Sequence, residues 1–242
     1  MDKQQPATLG SRFISAYNLL DHHLRVQYNF KTNISFSDLI RRCSSLNQVI
    51  RAYEDDLIDL ARLRNAIVHN RRDEIIAEPH EDVVDFIEKV ARIISTPPLA
   101  MDVIKSVKVN TISGEVLLRD LIVETSRVQF NNIPVYKGNT LIGVIRWRKF
   151  VEAIGNVIAQ GKSIDSFVVG ITVEQFLREY PSTQHFSLVS SRATIEEILT
   201  MFNRNRKLSA VIITKEGTAN ELPCGIITSA DVMDLMKILE SY

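Results

Sequence analysis

The stretch that decides the fold is Gly225-Ile226-Ile227-Thr228-Ser229-Ala230-Asp231. A counterpart lies 82 positions earlier (143 against 225), at Gly143-Val144-Ile145-Arg146-Trp147-Arg148-Lys149. Each begins with a glycine and a short apolar run, continues with polar or basic residues, and leads into apolar residues at helical spacing. This order predicts a buried strand that turns directly into a helix. Its recurrence indicates two copies of one structural unit.

The surroundings of both stretches predict a strand–helix–strand–strand–helix unit. Four apolar runs predict two antiparallel strand pairs, which are residues 133–136 with 141–146 and residues 208–214 with 224–228. A helical stripe precedes each pair, at residues 115–125 and 194–205. We therefore predict two βαββα repeats, at residues 99–160 and 164–242, which form an α/β half of the chain.

The first half of the chain has helical periodicity without a strand pattern. Four apolar stripes predict four helices: Phe13-Tyr17-Leu20-Leu24, Leu39-Cys43-Leu46-Ile50, Leu57-Leu60-Ala61-Val68 and Val83-Phe86-Ile87-Val90-Ile94. Ser35 and Asp38 suit the start of the second helix, and Pro79 suits the first turn of the fourth. Pro97-Pro98 ends the helical pattern. The sequence thus predicts an α plus α/β protein, with a helical bundle at residues 11–96 followed by the repeats.

Composition and charge are those of an ordinary globular chain. Of its 242 residues 45% are hydrophobic, and 29 Lys and Arg balance 29 Asp and Glu. Because the net charge is zero, no global field attracts nucleic acid or a membrane, and a nucleic-acid site would need a local basic patch. Cys43 and Cys224 stand alone without metal-ligand spacing. With no signal peptide or membrane-length apolar run, we expect a cytoplasmic protein without a resident metal.

The candidate chemistry of the first half lies in Arg64-Asn65-Ala66-Ile67-Val68-His69. Arginine offers a charged planar fork of donors, and histidine exchanges a proton near neutrality, so the pair suits phosphate chemistry. On an unbroken helix the two side chains would lie about 140° apart. They can act together only if the helix ends near His69 or a second chain supplies neighbouring groups. The alternative is a surface arginine and a capping or core histidine.

A small helical bundle with R-N-x-x-x-H at the end of an internal helix resembles a HEPN domain, here over residues 11–95. The resemblance implies a homodimer and a metal-independent endoribonuclease, in which Arg64 and His69 are catalytic and Asn65 is a supporting polar group. His69 would move a proton at the ribose 2′-hydroxyl or the departing 5′-oxygen, and Arg64 would stabilise charge on the phosphorane. One large subgroup has a tyrosine two residues after the histidine, where this chain has Arg71. Other members are non-catalytic and use the bundle to dimerise or to bind other macromolecules.

The second half, residues 99–242, resembles a tandem pair of CBS domains, and G-h-h-T-x-x-D at residues 225–231 is its most specific match. The resemblance implies a regulatory module that binds an adenine nucleotide such as AMP or ATP between the repeats, and no catalytic cofactor. Asp231 would accept hydrogen bonds from the ribose hydroxyls, and Thr228, with Ser229 beside it, would meet a phosphate at a helix start. The alternative is a helix cap in which these side chains serve only the helix.

The first copy departs from this motif. Arg146 stands in the threonine place and Lys149 in the aspartate place. A lysine ammonium cannot accept from ribose hydroxyls, so the first copy is not expected to hold a nucleoside in the usual way. Two interpretations of these cations remain open: they are solvated, or they meet additional phosphates.

The two halves together predict a nucleotide-sensing regulatory protein whose CBS pair controls a ribonuclease in the helical domain. The rival hypothesis is a non-catalytic regulatory or dimerisation protein that binds an adenine nucleotide and a protein partner. Under the first hypothesis RNA is a further partner, and under neither is a membrane involved. The sequence leaves open whether the protein is an enzyme.

Overall fold

The computed structural model describes residues 8–69, 74–75, 77–104, 109–126 and 132–242. The chain divides into two structural units. Unit 1 takes the residues up to Pro98 together with Thr194–Thr200 and Leu235–Tyr242, and unit 2 takes Leu99–Ala193 and Met201–Asp234. None of the helices in the described ranges has the length and apolar character that a bilayer crossing requires. The prediction of a helical first half followed by a half with mixed helices and strands is confirmed.

Unit 1 is mainly helical. Up to Pro98, its described helices are α1 (Leu9–Gln27), α2 (Phe36–Ser44), α3 (Gln48–Ala52), α4 (Glu54–Ile67) and α5 (Glu81–Ser95). Helix α1 packs along α5, and α2 packs against α4. An ion pair of 2.8 Å between Arg12 and Glu88 joins α1 to α5 at the edge of the apolar contact. Apolar side chains from four of these helices, Phe13, Leu20, Leu39, Leu57 and Ile87, are fully buried.

Two helix boundaries differ from the sequence prediction. The second predicted helix is interrupted, because α2 ends at Ser44 and the buried side chain of Asn47 accepts a hydrogen bond from the Ile50 amide (2.9 Å), which starts α3. Asparagine favours such a cap over a place inside a helix. Pro79 was predicted in the first turn of the fourth helix. It lies two residues before that helix, which is α5 and begins at Glu81. The predicted start at Ser35 is confirmed, and its side chain accepts from the Asp38 amide.

The prediction that the first half lacks strands is wrong. Strands β1 (Val68–His69) and β2 (Glu74–Ile75) pair in antiparallel register. Helix α4 ends at Ile67, and Val68, which follows it, adopts an extended backbone (φ −103°, ψ 126°). The Val68 amide still donates to the Arg64 carbonyl, which closes the last turn of the helix. Arg71 lies outside the described residues.

Unit 2 is built around two small sheets. Its elements are α6 (Ala100–Val103), β3 (Ile112–Ser113), α7 (Leu118–Thr125), β4 (Asn132–Lys137), β5 (Thr140–Arg146), α8 (Trp147–Ala159), α9 (Ile164–Gly170), α10 (Val173–Glu179), a 3₁₀ turn (Thr183–His185), β6 (Phe186–Ser190), β7 (Ala210–Thr214) and β8 (Gly225–Thr228). Helices α11 (Ile195–Arg204) and α12 (Val232–Ser241) have residues in both units. The sheet orders are β3-β4-β5 and β6-β7-β8, and in both the first pair is parallel and the second antiparallel.

One apolar core of unit 2 explains two helices that the sequence analysis did not predict. Helices α9 and α10 contribute Val168, Val173 and Phe176 to a cluster that also contains Phe150 of α8. A capping box between Thr172 and Gln175 starts α10. These helices therefore complete the core beneath the first sheet, which β3, β4 and β5 cannot cover alone.

The two cysteines are free thiols and do not pair with each other. Cys43 is buried in unit 1, and this burial raises the pKa of its thiol to about 12. Cys224 is exposed in unit 2. Because the thiolate is the reactive form, Cys43 behaves as a small apolar core residue.

Candidate functional site

The turn between β8 and α12 contains the predicted ligand residues Thr228, Ser229 and Asp231. One carboxylate oxygen of Asp231 accepts from the Thr228 amide (2.7 Å) and from the Thr228 hydroxyl (2.8 Å). The Asp231 amide in turn donates to the Thr228 carbonyl (3.0 Å). The motif is therefore a closed hydrogen-bonded turn at the end of a strand.

These contacts bear on both interpretations of the motif. The turn has the internal hydrogen bonds of a cap, and the Thr228 hydroxyl donates within the motif. Both bonds to Thr228 use Oδ2 of Asp231. A carboxylate has two oxygens and about four acceptor positions, so holding the turn and accepting from a ribose are compatible roles.

Ser229 borders a polar cleft of about 540 Å³ in unit 2. This volume lies within the range of about 300–1,000 Å³ that small-molecule sites occupy. The charged residues that line it are Arg146, Arg148, Lys149, Arg206, Lys207 and Glu152. The cleft therefore has five cationic side chains and one carboxylate, a surplus of four positive charges.

The cations come from two separate segments. Arg146 is the last residue of β5, and Arg148 and Lys149 lie in the first turn of α8. Arg206 and Lys207 lie between α11 and β7. No side chain caps the start of α8, and its first turn contains no acidic residue. Cations are electrostatically unfavourable at the positive end of a helix, so these side chains do not serve the stability of α8.

The charge of Arg146 is maintained at an electrostatic cost. Partial burial, and then the positive charge of Arg148, lower the pKa of Arg146 below its ordinary value. Lys149 forms an ion pair with Glu152 (2.9 Å), three residues further along α8. For Arg146, Arg148, Arg206 and Lys207, no carboxylate of the described residues lies within ion-pair distance. The charge of the cleft is thus largely uncompensated by the protein.

A hydrogen-bond network holds the cleft wall around Ser209. The Ser209 hydroxyl lies 2.9 Å from both the Asn132 side-chain oxygen and the His185 carbonyl. The His185 ring nitrogen Nδ1 donates to the Lys207 carbonyl (2.8 Å), because a carbonyl can only accept. The Ser229 amide donates to the Ser209 carbonyl (3.3 Å). These bonds link the T-S-A-D turn to the loop that contains Lys207.

Comparison with known proteins identifies this region. Residues 177–238 match the family model of the CBS domain, and the match includes the turn from Thr228 to Asp231. The chain contains a CBS domain. Solved structures similar to the chain include the CBS domain of a bacterial CNNM/CorC family Mg²⁺ transporter in complex with ATP (18% identity, TM-score 0.46, 66% of this chain and 98% of that chain). Another is a CBS domain-containing protein of unknown function from Kribbella flavida (16% identity, TM-score 0.43, 55% of this chain and 94% of that chain). No curated relative matches the chain.

Only part of the cleft beside the CBS motif was predicted from the sequence. Arg146 and Lys149 were recognised as departures from the motif, whereas Arg206, Lys207 and His185 were not selected. The sequence feature that could have indicated these cations is the basic run Arg204-Asn205-Arg206-Lys207, which lies shortly before β7. Among the described residues, no group of three or more His, Cys, Asp or Glu side chains is arranged to hold a metal ion.

The residues of the R-x4-H motif lie in unit 1, outside the CBS match. Arg64 is half-buried and Asn65 is exposed, and both lie near the end of α4. Burial raises the pKa of Tyr17, whereas the positive charge of Arg64 acts in the opposite direction. His69 lies in β1, and its side chain is outside the described part of the structure. Because α4 ends at Ile67, the angle for an unbroken helix does not apply to this pair.

Proposed function

We propose that this protein is a regulatory protein whose CBS half senses an adenine nucleotide at the turn Thr228–Asp231. In this proposal, Asp231 accepts hydrogen bonds from the ribose hydroxyls, and Thr228 and Ser229 meet the first phosphate. The observation that supports it most directly is the position of Ser229 on the wall of a cleft of nucleotide size. The nucleotide is a regulatory ligand, so no catalytic cofactor is required.

The chemistry of the turn supports this assignment. Asp231 already accepts from Thr228 through Oδ2, which fixes the carboxylate in one orientation. Its other oxygen then has a defined direction, and a carboxylate can accept from the hydroxyls of a diol. Pre-organisation of this kind reduces the conformational entropy that binding costs.

Calorimetric titration tests the nucleotide site. We expect AMP and ATP to bind the full chain and Asp231→Ala to weaken both by at least tenfold. Asp165→Ala removes another exposed carboxylate of unit 2, in the first turn of α9, and serves as the matched control. Equal affinities of the wild type and Asp231→Ala would exclude the ribose assignment.

A second candidate function concerns the helical domain. We propose that Arg64 and His69, supported by Asn65, form a metal-independent endoribonuclease site of the HEPN type, completed in a homodimer and controlled by the CBS half. The end of α4 at Ile67 supports it, since a continuous helix would have separated the two side chains. His69 would transfer the proton, and Arg64 would stabilise charge on the phosphorane.

An RNA digest in the presence of chelator tests this candidate. Cleavage by the wild type, with loss in Arg64→Ala and in His69→Ala, would support the nuclease. Arg62→Ala is the matched control, because Arg62 lies on the same helix and its ion pair with Asp59 is exposed. If no RNA is cleaved with or without nucleotide, the helical domain is better explained as a dimerisation or protein-binding domain. Sedimentation velocity would test the homodimer directly.

A further inference from the structure

We propose that the cleft of unit 2 selects a ligand with at least three linked phosphates, and that the phosphate chain, more than the nucleoside, determines affinity. This inference rests on the nucleotide function proposed above and specifies the chemical class of the ligand. A nucleoside triphosphate satisfies it, with the nucleoside at Asp231 and the phosphate chain among the cations.

The first step of the argument is the amount of charge. The cleft has a surplus of four positive charges. A phosphate monoester carries about −1.5 to −2 at neutral pH, and each further linked phosphate adds about one negative charge. A monophosphate would therefore leave about half of the surplus uncompensated, whereas a triphosphate would nearly neutralise it.

The second step is that four of the five cleft cations lack the carboxylate partner that some other cations of unit 2 have. Arg178 pairs with Glu174 (2.5 Å), and Arg192 pairs with Glu216 (3.3 Å). In the cleft, Lys149 has such a partner in Glu152, and no described carboxylate pairs with the other four cations. An ion pair within the described protein thus accounts for one side chain of the five.

The third step is the arrangement of the cations in two groups. Arg146 ends β5 and Arg148 and Lys149 follow it, whereas Arg206 and Lys207 precede β7. Two groups of cations that line the same cleft offer donors to more than one phosphate of a linked chain. The lowered pKa of Arg146 is consistent with this arrangement, since a bound anion would offset the burial and the repulsion from Arg148.

The fourth step concerns what the first repeat cannot do. Lys149 occupies the place that Asp231 has in the second repeat. An ammonium group has three donors and no acceptor, so it can meet phosphate oxygens and cannot accept from a ribose. The cleft therefore combines phosphate donors of the first repeat with Ser229, which belongs to the same turn as Asp231.

The test compares AMP, ATP and inorganic tripolyphosphate by calorimetry on the full chain, without divalent cations, which would neutralise the phosphates. We expect ATP to bind at least tenfold more tightly than AMP, and tripolyphosphate to compete with ATP. Arg146→Gln and Lys207→Gln should each weaken ATP about tenfold, as expected for the loss of one charged hydrogen bond, and weaken AMP less than ATP. ATP affinity should also fall more steeply with salt than AMP affinity.

The controls are Arg119→Gln and Lys162→Gln, which remove exposed cations of unit 2 that do not line the cleft. Both should bind ATP as the wild type does, and thermal denaturation should show all four variants folded. Equal affinities for AMP and ATP, or failure of tripolyphosphate to compete, would overturn the inference. Displacement of tripolyphosphate by low concentrations of homopolymeric RNA would also overturn it and assign the cations to nucleic acid.

The outcomes separate this inference from the proposed function. If AMP binds through Asp231 and ATP gains no affinity, the nucleotide site stands and the inference fails. If tripolyphosphate binds through Arg146 and Lys207 while Asp231→Ala changes nothing, the cleft is a polyphosphate site and the ribose assignment fails. If none of the three ligands binds, both fail.

Discussion

Asp231→Asn separates the structural role of this carboxylate from a role in ligand binding. Asn retains a side-chain oxygen that can accept from the Thr228 amide and hydroxyl, at the positions now 2.7 and 2.8 Å from Asp231. Ala retains no acceptor. Loss of a helix cap costs about 0.5–2 kcal/mol, and hydrogen bonds to a charged group are roughly twice as strong as neutral ones. We therefore expect Ala to lower the free energy of unfolding by about 1–2 kcal/mol, and Asn by about half as much.

Nucleotide binding, unlike stability, should be weakened by Asp231→Asn about as much as by Asp231→Ala. In Asn, an amino group replaces one carboxylate oxygen, so a ribose hydroxyl loses its acceptor and a charge is lost. Such a loss costs about 1.5–3 kcal/mol, or about 10–100-fold in nucleotide affinity. Urea denaturation measures the first quantity and calorimetry with ATP the second, with Asp165→Asn as the control. Wild-type affinity in Asp231→Asn would refute ribose recognition, and equal destabilisation by Asn and Ala would refute the hydrogen-bond account of the turn.

Three further predictions concern stability. The hydrogen bond from Arg12 lowers the pKa of Glu88. The pair therefore stabilises unit 1 fully above the ordinary pKa of 4.5, and this stabilisation is lost as pH falls through the lowered pKa. In Glu88→Gln, the midpoint of urea denaturation should therefore fall less steeply with decreasing pH. Gly217 has φ +81°, and an added Cβ would lie 2.9 Å from a backbone nitrogen of β6, so Gly217→Ala should cost about 1–3 kcal/mol in urea denaturation. Glu196→Ala should cost about 1–3 kcal/mol, because the buried carboxylate accepts from the Gln48 amide (3.0 Å).

Each of these predictions has a matched control or a contradicting result. An acid limb that is unchanged in Glu88→Gln would show that the Arg12 pair does not contribute to stability. Gly138 also has a positive φ (+58°), but nothing lies within 4 Å of its added Cβ, so Gly138→Ala should cost less than Gly217→Ala. Glu196→Gln keeps an acceptor for the amide, and a loss as large as that of Glu196→Ala would contradict the hydrogen-bond explanation.

The sequence was informative where one local pattern determines the structure. Helical spacing predicted α1, α4 and α5, and a seven-residue motif located the CBS turn. The pattern failed at Asn47, because the apolar spacing from Leu39 to Ile50 continues through the break between α2 and α3. Only the buried Asn47 cap in the structure reveals that break. It also failed at Val68, where a β-branched residue ends a helix that apolar spacing would have extended.

The cleft was the least predictable feature for a different reason. Arg206 and Lys207 are exposed residues of a short loop, and such residues usually indicate nothing more than a solvated surface. Their significance comes from the fold, which brings them to the same cleft as Arg146 and Lys149. The spacing of residues along the chain does not show that these two segments line one cleft. The motif departure at Lys149 could be identified from sequence, but its partners could not.

The division of unit 1 among three stretches of chain has a consequence for how the protein is made. Its helices up to Pro98 are synthesised first, whereas Thr194–Thr200 and Leu235–Tyr242 follow only after most of unit 2. At about 5–20 residues per second, a ribosome needs roughly 7–29 s to extend the chain from Pro98 to Tyr242. The Gln48 amide lacks its acceptor until Glu196 has been synthesised, and unit 1 lacks its last segment until Leu235–Tyr242 follows. The segment made first is therefore the last to complete its fold, and a nascent chain arrested after Pro98 would be a target for chaperones and proteases.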